Sequence, residues 1–440
     1  MTQDRKLSLS TAILININIM LGAGIFANTV VLSKRVGALG GFSYIVIILM
    51  MLPLVLSIAK LTGMYPEGGF YAFGKNTISP FAGFLTSWGY LVGKLGSGAF
   101  MTHLSLKLIQ DLVPILGKIH ILTLDAIVIA LFVLLNTRNI RSGGAIQTGF
   151  TILKLVPIVF AILVGLFLID PSNLSAPHRL WEGIPSSLPL LLYASMGFEA
   201  ACVLSSKIEN PSKNAPKAIV LSYIIALCVC ALYQFMFYAS VGPAVSSITQ
   251  TPGYLYAFPI LLNKLLPALP NIAYYFKIIL HLALSSAALG GSYGIMFSNT
   301  WNLYTLAKNK HTFFQGLLTK FNKHAIPVAC VVFIGIIYIL YTIVSHGDQM
   351  ALQSMSALGV VFAYSMSVLS LFVAKLKRPQ IDFPLWIPTI GLISCSTLIY
   401  QCIKSLIVYG LTSLVTFIIL MSLGTIMFFI SAIRTKKETA

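Results

Sequence analysis

Charge is scarce in this 440-residue chain: 9% of its residues are Asp, Glu, Lys or Arg, and only 11 are acidic. A soluble domain carries about a quarter charged residues, so a chain that is 57% hydrophobic with mean hydropathy +0.90 is excluded from that class. The cysteines at 202, 228, 230, 330, 395 and 402 fall in apolar runs without the paired two-residue spacing of a zinc site. Neither a metal nor a disulfide is expected of them, and small apolar packing is their ordinary use. No P-loop pattern is present, which removes ATP as a direct energy source. The few acids and histidines inside apolar runs show no nucleophile paired with a base, which argues against an intramembrane hydrolase, and no cofactor is implied.

What the chain does have is apolar length. A membrane-spanning helix takes about 20 apolar residues. Runs of that order lie near 8 to 32, 37 to 62, 80 to 112, 120 to 136, 145 to 169 and 185 to 206. A second set lies near 217 to 241, 272 to 300, 326 to 344, 350 to 374, 385 to 404 and 411 to 433, giving about twelve spans of an all-α polytopic membrane protein. The first run has Arg5 and Lys6 ahead of it, as a signal peptide would, but it exceeds the 7 to 15 apolar residues usual for one. The net charge of +18 is a topology signal and not a nucleic-acid footprint. With the N-terminus inside, eighteen Lys and Arg fall on inner segments and seven on outer ones, so the positive-inside rule places both termini in the cytoplasm.

Two of these runs carry glycine at mid-membrane depth, LGAGIF (21 to 26) in the first and YASMGFEAA (193 to 201) in the sixth. Gly22, Gly24 and Gly197 weaken a helix where lipid penalises unpaired backbone most. Discontinuous helices at matching positions of two halves point to an inverted-repeat transporter whose site lies at the midplane. The N-terminus of a half-helix favours a carboxylate, and exposed carbonyls before the break favour an ammonium. Glycine also serves close helix packing, the reading that suits Gly89 and Gly93 in the third run and Gly290, Gly291 and Gly294 in the eighth.

Five stretches resemble the amino acid-polyamine-organocation permeases: GAGIF (22 to 26), residues 65 to 93, NTRNIRSGGAIQTGFTILKLVPI (136 to 158), GFEAACVLSSKIENPSKNAPKAI (197 to 219) and FPLWIP (383 to 388). The resemblance runs from about residue 8 to 390 and is most specific in ENPSKNAPKAI. It implies a first five-helix repeat over 8–170, a second inverted one over 184–375 and two more helices over 385–433. It also implies secondary transport of amino acids or related amines, by proton symport or by exchange, in a bacterial inner membrane. A non-transporting sensor or subunit on the same scaffold is the other reading. Trp301 stands in TWNLYTLAKN, taken as the loop after the eighth helix, where the family usually has an arginine.

On this resemblance a substrate carboxylate meets the backbone N–H groups of Ala23, Gly24 and Ile25. Its ammonium meets carbonyls near Met20 and around Tyr193, Ala194 and Ser195, beside the break at Gly197. Tyr193 takes the place of an aromatic gate, with packing as the alternative. Four charges lie inside spans: Lys94, Lys154, Glu199 and Lys277. Each costs about 2.5 to 3.5 kcal/mol on insertion scales and therefore needs a partner or a role. The resemblance puts Lys154 where sodium sits in coupled relatives, either cycling a proton or standing as a charged strut. Glu199, following the sixth-helix break, is read as a gating or hydrogen-bonding group. Lys94 faces the site, pairs with Glu199 or lines a vestibule, and Lys277 snorkels to the outer surface. The partners expected are an amino acid, protons and lipid; the oligomeric state is not legible.

Overall fold

The computed structural model describes residues 6–138, 155–175, 180–205, 208–248 and 256–439. Helix α1 (Leu9–Met20) begins where the Ser8 side chain accepts the Thr11 N–H, and α2 (Ala23–Val36) follows it after two residues, bent by 49° from it. Then come α3 (Gly40–Met64), the short α4 (Gly69–Thr77) and α5 (Pro80–Leu112). In α5, Ser79 caps the first turn and Pro80 takes the opening position, where a missing N–H costs nothing. Helices α6 (Ile121–Asn136) and α7 (Leu155–Leu168) are shorter and apolar. The sixth predicted span is α8 (Gly183–Ser195) followed by the four-residue α9 (Ala200–Val203).

The second half holds α10 (Pro211–Val241), α11 (Ala257–Leu265), α12 (Pro270–Lys308), α13 (Gln315–Leu318), α14 (Val328–Ser345), α15 (Gln349–Lys377), α16 (Trp386–Tyr409) and α17 (Leu411–Thr439). Among the described residues, eight helical segments are long and apolar enough to cross a membrane, and the bent pair α1 and α2 makes a ninth. Together with α5, α6 and α7 these account for the twelve predicted runs, the fifth of which lies partly outside the described residues. One boundary moves. α12 continues to Lys308, so Trp301 sits inside that helix, packed on Tyr304 and Phe321, and not in a loop after it. A short helix, α11, precedes α12, and another, α13, lies between α12 and α14.

The centre of the molecule is α5, in which every residue from Thr86 to Leu106 is buried. A helix enclosed on all sides has no lipid face to pattern, which is why this segment carries polar residues and glycines among its apolar ones. It packs most extensively against α12 and α15. Gly93 is the reason α15 comes so close: a Cβ there would lie 2.7 Å from the Val360 nitrogen, and one on Gly359 would lie 2.5 Å from the Gly93 Cα. Small residues admit such contact between membrane helices, where lipid supplies little hydrophobic drive for association. By contrast α17 exposes Leu411, Val415, Ile418 and Ile419, the surface expected of a helix against acyl chains.

Beyond α12, the connection to α13 is tied to α4 by a 2.7 Å hydrogen bond between the Tyr71 hydroxyl and His311 Nε2. Burial, and secondarily the Lys75 ammonium, lowers the His311 pKa to about 4. Because the folded value lies below that of the unfolded chain, the unfolded state takes up the proton first. Stability contributed by neutral His311 is complete above about pH 6.5 and declines toward pH 4. His311→Gln is therefore expected to flatten the acid limb of the stability profile, measured as the unfolding midpoint between pH 4 and 7. An unchanged acid limb would exclude His311 as its cause.

Candidate functional site

The first break is local. Leu21, with φ −74° and ψ 58°, ends α1, and Gly22 opens α2 in an extended conformation. The Gly22 N–H donates to the Met20 carbonyl at 2.7 Å, which leaves that oxygen a second lone pair. No side chain caps α2 at Gly22, so the first-turn N–H groups of Ala23, Gly24 and Ile25 present the positive end of a helix.

The second break comes after Ser195. Met196 is extended, Gly197 has φ +127°, and the chain resumes as α9 with Glu199 at its cap position. Two asparagines hold the broken segments to one another. Asn16 Nδ2 donates to the Phe198 carbonyl at 2.8 Å and to Ser222 Oγ at 3.0 Å, and Asn28 Nδ2 donates to the Leu190 carbonyl at 3.0 Å. The breaks also meet directly. A Cβ on Gly197 would stand 3.0 Å from the Met20 nitrogen, and one on Gly24 would stand 2.9 Å from the Tyr193 ring and 3.6 Å from the Ala194 Cα.

Tyr193 thus lies over the start of α2, its ring edge-on to Phe100 and its hydroxyl hydrogen-bonded to Ser97 Oγ at 2.9 Å. The Ser195 hydroxyl donates to the Leu192 carbonyl of its own helix, so towards a guest this residue can act only as an acceptor, through its carbonyl or its hydroxyl oxygen. Met101 closes the space from the other side: a Cβ on Gly22 would be 3.2 Å from its terminal methyl, and one on Gly291 would be 2.6 Å from its sulfur.

Below Gly197, Glu199 gathers four donors. Lys94 Nζ lies 2.8 Å from Oε1, which also accepts the Tyr90 hydroxyl at 3.2 Å. Oε2 accepts the Tyr364 hydroxyl at 2.7 Å and the Gly197 N–H at 2.6 Å. Glu199 is fully buried and Lys94 is 5% exposed, so each charge depends on the other in a medium that solvates neither. The carboxylate joins α5, α15 and the unwound segment at one point and fixes the glycine whose dihedral makes the break. Of the roles open to Lys94, the geometry gives it the ion pair.

A family model described as amino acid permease matches residues 7–433. The chain belongs to the amino acid permease family. An uncharacterized transporter of Mycobacterium tuberculosis is 23% identical to this permease over 418 residues, covering 92% of this chain and 88% of that one, and its Mycobacterium bovis counterpart matches equally. The b(0,+)-type amino acid transporter 1 of Mus musculus is 22% identical over 335 residues, covering 73% and 65%.

The permease brings Met20, Ala23, Gly24, Ile25, Tyr193, Ala194 and Gly197 to one place and sets Lys94 and Glu199 beneath them. Lys154 lies outside the described residues. Lys277 does more than snorkel: its ammonium is 2.8 Å from Asp111. Asn16, Asn28, Tyr90, Ser97, Met101 and Tyr364 were missed by sequence reasoning. The asparagines had a signal, since an amide inside an apolar run must find a partner. So had Tyr90 and Ser97, which sit one turn either side of Lys94. Met101 and Tyr364 had none. A second buried polar pair, His103 Nδ1 with Asp125 Oδ2 at 2.6 Å, ties α5 to α6 away from the breaks.

Proposed function

We propose that this permease is a secondary transporter of amino acids that works by alternating access, with the substrate backbone held between the two breaks. Its carboxylate lies on the N–H groups of Ala23, Gly24 and Ile25. Its ammonium lies on the carbonyls of Met20 and of Tyr193 to Ser195, with Tyr193 as the gate above. The observation that carries this reading is the direct apposition of the breaks at Gly24 with Tyr193 and at Gly197 with Met20, because irregular backbone at membrane depth persists only inside protein or along a cavity. The helices would divide into inverted repeats over 8–170 and 184–375, with residues 385–433 added outside them. Both termini would face the cytoplasm of a bacterial inner membrane. Glu199 is a structural hydrogen-bonding group here, since its donors are already supplied by the chain.

Purified protein in liposomes is expected to accumulate labelled neutral amino acids saturably. No unpaired acid lines the site to receive a cationic tail among the described residues; Glu199 is spoken for by Lys94. Uptake driven by an imposed proton gradient identifies symport, and uptake that requires amino acid inside the vesicle identifies exchange. If Lys154 cycles the proton, Lys154→Ala abolishes the response to pH between 5 and 8 while expression is retained. Kinetics in the variant that match those of the wild type at every pH in that range remove Lys154 from coupling. A panel giving neither saturable uptake nor exchange overturns the transporter reading.

A further inference from the structure

Away from the breaks, the connection between α12 and α14 closes over a crevice of about 690 Å³. Trp88 of α5, Leu303 of α12, Val332 of α14 and Met427 of α17 form its walls, and Phe314 and Phe321 of the connection its edge. That volume is in the range of sites for small ligands, about 300 to 1,000 Å³. The crevice faces outward toward lipid: Val332 and Ile336 are lining residues, and they stand 42% and 59% exposed on the outer side of α14. Phe314, 77% exposed, projects from the same rim.

Two polar groups at this apolar site have no partner among the described residues. Thr312 is 1% exposed, lines the crevice, and its hydroxyl makes no hydrogen bond. Lys320 is the one charged lining residue, and no hydrogen bond or ion pair engages its ammonium. Asn322, also in the lining, is committed: it donates to the Thr137 carbonyl and accepts from the His324 and Ile326 N–H groups. From Lys308 to Lys323 the segment holds four lysines and no acid. Its backbone is also held in unfavourable conformations, with φ +62° at Lys310 and +54° at Phe314, which surroundings must enforce and which gather at ligand clamps.

We propose that this crevice is a site for an anionic phospholipid of the leaflet on the side of the chain termini, an acyl chain against the Trp88, Val332 and Met427 walls and the phosphate on Lys320. A free phosphate has no use for the apolar walls, and a zwitterionic lipid brings a cation of its own beside the Lys320 ammonium, which an anionic lipid does not. Basic pockets between membrane helices near the inner surface recognise headgroups by this chemistry. The inference needs only that the chain spans the membrane and does not depend on what it transports.

The test is native mass spectrometry of the full-length protein, delipidated and titrated with phosphatidylglycerol or phosphatidylcholine of identical acyl chains. One phosphatidylglycerol is expected to be retained at least tenfold more tightly than phosphatidylcholine. Lys320→Glu, at an exposed position that should not disturb folding, is expected to reduce that preference about tenfold. Val332→Trp, which fills the crevice, is expected to remove retention of both lipids, and glycerol phosphate is expected not to compete. Equal retention of the two lipids by the wild type, an unchanged preference in Lys320→Glu, or competition by glycerol phosphate as effective as by lipid would overturn the proposal.

Discussion

Glu199→Ala should destabilise the permease by about 3–5 kcal/mol, the cost typical of stranding one partner of a buried ion pair. The loss has four parts in one place: the Lys94 ammonium left without its carboxylate, two tyrosine hydroxyls without an acceptor, and the Gly197 N–H unbonded. Glu199→Gln keeps a carbonyl for the tyrosines and the N–H but leaves Lys94 charged and unneutralised, so it should remain strongly destabilised. Adding Lys94→Met to Glu199→Gln removes the stranded charge while retaining the acceptor, and stability should recover above either single variant. The measurement is a double-mutant cycle on unfolding in lipid or mild detergent. Additive losses would mean that the two charges do not depend on each other, which the 2.8 Å separation at full burial contradicts.

Gly197→Ala is the second large effect, and it acts on transport more than on folding. The residue has φ +127°, outside what an L side chain readily adopts, and its Cβ would press on the Met20 backbone nitrogen at 3.0 Å. Strain of about 1–3 kcal/mol at such a position would lower the population of the joined-break conformation about 5- to 150-fold. Initial uptake rate should fall by a similar factor. Gly69 is the control: its φ is +52°, but a Cβ there meets nothing within 4 Å. Gly69→Ala should therefore cost stability without a matching loss of uptake. Equal uptake by the two variants would show that contact between the breaks is irrelevant to turnover.

How much of this was legible in the residue order depends on the distance over which the information acts. Helix positions were legible because apolar length and breakers are local, and the GAGIF and SMGFEAA interruptions were legible because glycine at mid-span is locally anomalous. The pairing of Lys94 with Glu199 was legible only as one of several options, since nothing in either segment fixes which faces of α5 and α9 meet. Tyr364 was not legible at all: an aromatic in an apolar helix gives no indication of whether its hydroxyl has an acceptor 165 residues away. The end of α12 was misplaced at Trp301 because indole, tyrosine and threonine continue a helix as well as they end one, and the helix runs on to Lys308 with Phe321 packed on Trp301 and Tyr304.

The touching glycines of α5 and α15 set a limit on how the molecule can rearrange. Where Gly93 and Gly359 bring main chain against main chain, no rotamer exists that could absorb a displacement. These two rods must therefore travel as a single stiff unit, turning about that point of contact if they turn at all. If the proposed alternating access is a rocking motion, it would be taken up where the chain is already discontinuous, at Leu21–Gly22 and Met196–Gly197.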